Sequence, residues 1–275
     1  MNDRIEKSPL GDLGVGSILD KIVLRKKQEV ADAKQLISIK DLEKAEHFKR
    51  ISYSFKDFLL AEDRTGIIAE FKRRSPSKGL INGTANVAEI TNAYNNAGAS
   101  ALSVLTDIDF FGGKTDDLLA ARAVNNIPIL RKDFMIDEYQ ILEAKAWGAD
   151  IILLIAAILT PQQISDFGKF AQNLGLNVLL EVHNLEELER SICPNLNAIG
   201  VNNRNLADFT VNIQTSFELV DKIPNEFLKI SESAISDPKI INELKVAGFN
   251  GFLIGENFMK TDNPGLAIKE FVAKI

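Results

Sequence analysis

Residues 70–79, Glu-Phe-Lys-Arg-Arg-Ser-Pro-Ser-Lys-Gly, set an acid and a base two positions apart, next to small hydroxyls and open backbone. The apolar run Ile67-Ile68-Ala69 leads into them, so they read as a strand end becoming a loop. Strand alternation puts Glu70 and Lys72 on the face shared with Ile68. Charges on a core face are costly unless they satisfy each other or a ligand. Ser75, Ser77 and Gly79 offer the kind of surface that holds a phosphate. Lys132 and Glu181 end two further apolar runs with the same parity, since Leu130 shares a face with Lys132 and Leu179 with Glu181. Two lysines and two glutamates around one mouth would shift each other's pKa values, which is how acid/base catalysts are tuned. The two ammonium groups would also receive a substrate carboxylate and a developing oxyanion. A purely structural ion pair is the competing reading of Glu70 with Lys72.

Eight short apolar runs can position these groups: Ile67–Lys72, Ala101–Thr106, Ile127–Lys132, Ile151–Ile155, Asn177–Val182, Ala198–Asn202, Leu228–Ser231 and Gly251–Ile254. Their spacing is that of a strand plus a crossover helix. Ala97-Gly98-Ala99, Trp147-Gly148-Ala149 and Ala247-Gly248-Phe249 punctuate them as helix stops before a strand. The pattern predicts an α/β fold, a (β/α)₈ TIM barrel with an N-terminal helical extension; a doubly wound open sheet is the alternative. The chain then reads as one domain, with a flexible leader over 1–16, a helical extension over 17–66 and the barrel over 67–275. Ser17 is placed to N-cap a helix from Ile18 to Leu36, with shorter helices near 41–48 and 55–61.

Active groups of such a barrel sit where strands end and loops begin. Besides the four acid/base candidates, those ends carry Thr106, Asp107, Asp133, His183, Asn202, Arg204, Ser231, Glu232, Ser233, Gly255 and Glu256. The loops after strands seven and eight, Ser231 to Ser236 and Gly255-Glu256-Asn257, are where barrels commonly hold phosphate, and Ser75 would complete the ring. Ser233 and Ser236 could instead cap the helix starting near Asp237-Pro238.

Composition narrows the function. A net charge of −6 argues against a dedicated nucleic-acid binder, and Lys72-Arg73-Arg74 has no aromatic platform beside it. Arg25-Lys26-Lys27 reads as a solvated helix face. Gly11, Gly14 and Gly16 follow no strand, so they are not a dinucleotide loop. Two histidines and one cysteine form no visible transition-metal cluster. His183 reads as supporting a site more than forming one, and Cys193, just before Pro194, is not a candidate nucleophile. Met1 to Lys7 lacks a signal-peptide core, and the longest apolar run, Ile151 to Leu159, is too short to span a bilayer. With a single cysteine, these features predict a cytoplasmic protein without a membrane or obligatory protein partner.

At these residues the sequence resembles the indole-3-glycerol phosphate synthase family over nearly the whole chain from Ile18. The resemblance is carried by Ile-Leu-Asp-Lys-Ile-Val at 18–23, Glu-Phe-Lys-Arg-Arg-Ser-Pro-Ser at 70–77, Ser-Val-Leu-Thr-Asp at 103–107, Leu-Arg-Lys-Asp-Phe at 130–134, Leu-Leu-Glu-Val-His at 179–183, Val-Asn-Asn-Arg-Asn-Leu at 201–206 and Ser-Glu-Ser at 231–233. It implies the substrate 1-(2-carboxyphenylamino)-1-deoxyribulose 5-phosphate, closed to indole-3-glycerol phosphate with loss of CO₂ and water. By that analogy Lys132 is the general acid of ring closure, and Lys72 positions the substrate carboxylate. Glu181 and Glu70 serve the later proton transfers. Asn202, Arg204, Glu232 and Ser233 hold the sugar and anthranilate, with Phe111 and Phe134 walling the aromatic ring. Phosphate lies against Ser75, Ala234, Gly255 and Glu256, and neither metal nor cofactor is required.

Two departures from the family pattern are Ala234, where Gly is usual, and Asn205, where Asp is common. A positive φ at position 234 would make the methyl group unfavourable. The rival enzymatic reading is phosphoribosylanthranilate isomerase, which gives no reason for two lysines beside two glutamates. The non-enzymatic rival is a degenerate barrel kept for binding, but none of Glu70, Lys72, Lys132 and Glu181 is missing.

Overall fold

The structure, a computed structural model, describes residues 16–205 and 209–275. The expected leader therefore lies outside the described residues except for Gly16, and so does Leu206 of the 201–206 motif.

The eight apolar runs form eight parallel strands: β1 (Ile67–Phe71), β2 (Ala101–Leu105), β3 (Ile129–Lys132), β4 (Ile151–Ile155), β5 (Asn177–Val182), β6 (Ala198–Asn202), β7 (Leu228–Glu232) and β8 (Gly251–Ile254). Each pairs with its neighbour in sequence, and β1 closes on β8 with Ile67 opposite Phe252 and Ala69 opposite Ile254. That closure selects the barrel over the open sheet. Strands enclosed between a barrel interior and an outer layer of helices need apolar residues on both faces. Ile-Ile-Leu-Leu-Ile of β4 is accordingly buried at all five positions. Strand β3 begins two residues later than expected because Pro128 has no N–H for the ladder. Strand β7 runs one residue further than expected and carries Glu232 on its end.

The outer helices are α4 (Val87–Asn96), α5 (Thr115–Val124), α6 (Glu138–Ala146), α7 (Pro161–Asn173), α8 (Leu185–Ser191), α9 (Gln214–Leu219), α10 (Pro238–Ala247) and α12 (Pro264–Val272), with a single turn, α11 (Glu256–Met259), just after β8. The three glycine stops behave as expected. Gly98, Gly148 and Gly248 take φ of +92°, +85° and +109°, and the next N–H reaches back five residues in each case. A side chain at these positions would strain the turn that hands each helix to its strand.

The extension contributes α1 (Ile18–Leu36), α2 (Ile39–Leu42) and α3 (Phe55–Leu59). Ser17 caps α1 in a reciprocal box with Asp20, and Leu19, Ile22, Val23 and Val30 are buried. The helix expected over 41–48 is not formed. Ser38 starts it early, it ends at Leu42, and successive three-residue turns follow to Arg50. Those turns bring Leu42 and Phe48 against Tyr139 and Leu142 of α6, a packing that one straight helix would not give. At the opposite end of the barrel, buried Asp150 accepts from Arg50, the Tyr53 N–H, Arg122 and the Ile129 N–H at 2.6–2.9 Å. The extension thus grips the base of the barrel near Asp150, while Ile18, Leu19 and Ile22 of α1 face the cleft at its mouth.

Candidate active site

Two ion pairs stand at the strand ends. Lys72 Nζ lies 2.6 Å from Glu70 Oε1, and Lys132 Nζ lies 2.6 Å from Glu181 Oε2. A third carboxylate joins the second pair, with Glu232 Oε2 at 3.4 Å from Lys132 Nζ. Asn202 Nδ2 donates to Glu181 Oε1 at 3.2 Å, and the Ser103 hydroxyl donates to Glu70 Oε2 at 3.5 Å. Glu70, Glu181 and Glu232 are all buried. The four candidate acid/base residues do meet at one mouth, as two pairs rather than a continuous ring.

The electrostatics separate the carboxylates. Burial disfavours the charged ammonium of Lys132, but Glu181, Glu232 and Glu70 overrule it and hold the proton on far above the usual lysine range. Burial likewise opposes ionisation of Glu181, yet Lys132 and His183 keep that carboxyl well below the usual range. Glu232 goes the other way: burial pushes it up to about 7, helped by Glu181 and Glu70 and resisted by Lys132. Among the described residues its Oε1 has no hydrogen-bond partner. Two carboxyls pushed in opposite directions around one ammonium is an arrangement that can both accept and deliver protons near neutrality.

The cleft has two lobes that share Glu70, Lys72, Arg204, Ser233, Leu253 and Glu256. The apolar lobe, a cavity of about 140 Å³ open to solvent at one side, includes Leu105, Phe111, Phe134, Leu153 and Ile155. The Phe111 and Phe134 rings sit 5.9 Å apart by centroid. The polar lobe is lined by Ser233 to Ser236, Gly255 to Asn257 and Lys260. Ser75 is buried and lines the apolar lobe, its hydroxyl 3.3 Å from that of Ser77. Ser233 and Ala234 both take positive φ, +65° and +61°. Neither serine caps the next helix, because Asp237 does so through the Lys239 N–H. Gly255 leaves room for Glu70, whose Oε1 would lie 2.5 Å from a Cβ there. The Glu256 carboxylate faces cations, Arg204 at 3.4 Å and Lys78 at 3.6 Å.

The chain matches the family model described as indole-3-glycerol phosphate synthase over residues 19–271. It is 48% identical to the indole-3-glycerol phosphate synthase of Bacteroides thetaiotaomicron, across 94% of this chain and 98% of that one. Against the Bordetella pertussis enzyme of the same name the identity is 40%, across 94% and 100%. The chain belongs to the indole-3-glycerol phosphate synthase family. Solved structures with far lower identity share the barrel alone. KGPDC from Streptococcus mutans superposes with a TM-score of 0.58 at 10% identity, covering 76% of this chain and 95% of that one. The native KDPGal structure gives 0.54 at 14%, covering 76% and 92%.

Within this indole-3-glycerol phosphate synthase fold, sequence reasoning misplaced one group and assigned another too narrow a part. Lys26, expected on a solvated face, is buried, with Nζ at 3.0 Å from Asp107 and 2.9 Å from Asp133. Its neighbours on both sides, Arg25 and Lys27, are exposed as expected. Asp107 Oδ1 in turn accepts from the Phe110 and Phe111 N–H groups, and Asp133 Oδ1 from that of Phe134. Only the i, i+4 spacing of Lys26 from Ile22 and Val30 signalled that it shares the buried stripe. Glu232 was expected among the substrate-holding residues, but not as a third carboxylate beside Lys132; the glycine inside β6, Gly200, where a Cβ would collide with the Glu232 carboxylate, was the signal for its inward place.

Proposed function

We infer that this chain closes the ring of 1-(2-carboxyphenylamino)-1-deoxyribulose 5-phosphate, giving indole-3-glycerol phosphate, CO₂ and water. The single observation that carries the residue assignment is Lys132 held protonated between Glu181 and Glu232 at the floor of a cleft with an aromatic wall. Lys132 protonates the ribulose carbonyl oxygen as the ring carbon bearing the carboxylate attacks the carbonyl carbon. Decarboxylation restores aromaticity, with the electron pair of the breaking C–C bond returning to the ring. The new hydroxyl then leaves as water, with Lys72 able to deliver the proton and Glu181 or Glu70 able to accept one from the ring nitrogen or carbon framework. Asn202, Arg204, Glu232 and Ser233 hold the sugar and carboxyphenyl groups, and Phe111 and Phe134 flank the ring. The polar lobe receives the phosphate through the N–H groups around Ala234 and at Gly255-Glu256, with Lys260 adding charge and Ser75 approaching from the other side.

We read residues 17–275 as one domain, because α1 and the strand ends build the same cleft. Among the described residues no helix is long and apolar enough to cross a membrane. The phosphorylated substrate and the lone, half-buried Cys193 favour the cytoplasm. The test is product fluorescence together with CO₂ release from the full chain. Lys132→Ala is expected to lose both by at least about a thousandfold while the far-ultraviolet dichroism is retained. Turnover near the wild-type rate would remove Lys132 from its role, and turnover without CO₂ would point to isomerisation.

A further inference from the structure

His183 stands just past β5, one residue beyond Val182 and on the same side as Glu181. Its Nε2 lies 3.3 Å from Glu181 Oε1, and its Nδ1 lies 3.0 Å from Glu187 Oε2 on α8. The His183 backbone N–H also donates to Glu187 Oε2, at 2.8 Å. The ring is largely buried, and among the described residues Nε2 makes no aligned hydrogen bond but faces the Glu181 carboxylate. Glu187 is fixed in turn: its own N–H and its Oε1 both engage Asn184, the cap of α8. We propose that His183 is a positioning residue, a strut that ties the Glu181 carboxylate to α8 and holds it in one orientation against Lys132.

This rests on Glu181 being an acid/base group of the ring closure. Glu181 Oε2 faces Lys132, and its Oε1 is shared between Asn202 and His183. Asn202 donates a neutral hydrogen bond, so the imidazole is the second cationic partner. The charged groups around His183 are Glu181 on its own strand, Glu187 on α8, and Lys132 from β3 beyond Glu181. Arg190 of α8 turns away to the Ala156 carbonyl. Burial lowers the tendency of His183 to hold a proton, but the two carboxylates outweigh it and push the imidazole up to about 9. The ring therefore carries its charge at neutral pH, and the strut weakens only in alkali.

Three variants of the full chain test this, with kcat and KM followed against pH. His183→Gln is expected to lower kcat about tenfold at pH 7 with little change in KM, and to move the acid limb up by about one pH unit, because Glu181 loses a cationic partner. Glu187→Gln, which leaves the cleft untouched, is expected to move an alkaline limb near 9 downward by about one unit. Imidazole nitrogen resonances of the wild-type protein should report His183 titrating near 9 without substrate. A His183→Gln enzyme that is folded and has unchanged kcat and limbs would overturn the strut. So would a neutral imidazole at pH 7, and so would a Glu187→Gln profile identical to wild type. Full turnover by Glu181→Gln would instead overturn the role of Glu181 itself, which separates the two failures.

Discussion

Glu232 carries the larger chemical consequence among the residues at the mouth. A carboxyl held at about 7 changes charge across the working range, beside an ammonium that does not. The substrate brings a carboxylate and a phosphate, so an ionised Glu232 repels it, and kcat/KM should fall as pH rises through 7. Glu232→Gln should flatten that limb with the same substrate, which cancels the phosphate's own titration; an unaltered limb excludes Glu232 as its source. The linkage has a definite sign. The folded value lies above the unfolded one of about 4.5, so the folded protein loses stability as pH rises between them, by on the order of 3 kcal/mol in all. Thermal unfolding should therefore show Glu232→Gln gaining Tm at pH 8 and not at pH 4. Ala234 is the other telling residue. At φ of +61° its methyl group costs about 1–2 kcal/mol, partly offset in a glycine by backbone entropy. Ala234→Gly should raise Tm slightly and lower KM for the phosphorylated substrate; an unchanged Tm would show that the methyl is tolerated without strain, and a higher KM that it does not hinder the phosphate.

At the scale of elements, Lys26 joins α1 to the loops after β2 and β3. Burial opposes its charge, but Asp133 and Asp107 more than compensate and hold the ammonium protonated beyond the usual range. Removing one partner of a buried network leaves the others uncompensated, at roughly 3–5 kcal/mol. Lys26→Met should accordingly lower Tm and speed hydrogen exchange along α1 before it does so in the barrel strands; uniform loss of protection would mean that α1 is no separate unit. The strands were legible in the chain because each is a short apolar run closed by a polar end, and Glu70, Lys132 and Glu181 could be placed by parity. Lys26 was not legible, because two basic neighbours hide a buried lysine whose partners lie some 80 and 107 residues further on, beyond the reach of any local pattern. The turns replacing the 41–48 helix were obscured for the same reason: their driving force is packing on α6, which is remote in sequence.

On the scale of the whole molecule, the site draws on the first strand and the last. Glu70 and Lys72 come from the end of β1, Ser233 and Ala234 from the end of β7, and Gly255 from the end of β8. Gly255 and Glu70 approach so closely that the two ends fit only once β8 has paired with β1. The chain is made from its N-terminus, and that pairing is the last seam to close. A chain without β8 would keep the β7 side of the polar lobe at Ser233 and Ala234 but lack its Gly255 side and the wall against Glu70. Catalytic competence therefore depends on β8 being in place, so a chain without β8 is expected to be inert rather than partly active.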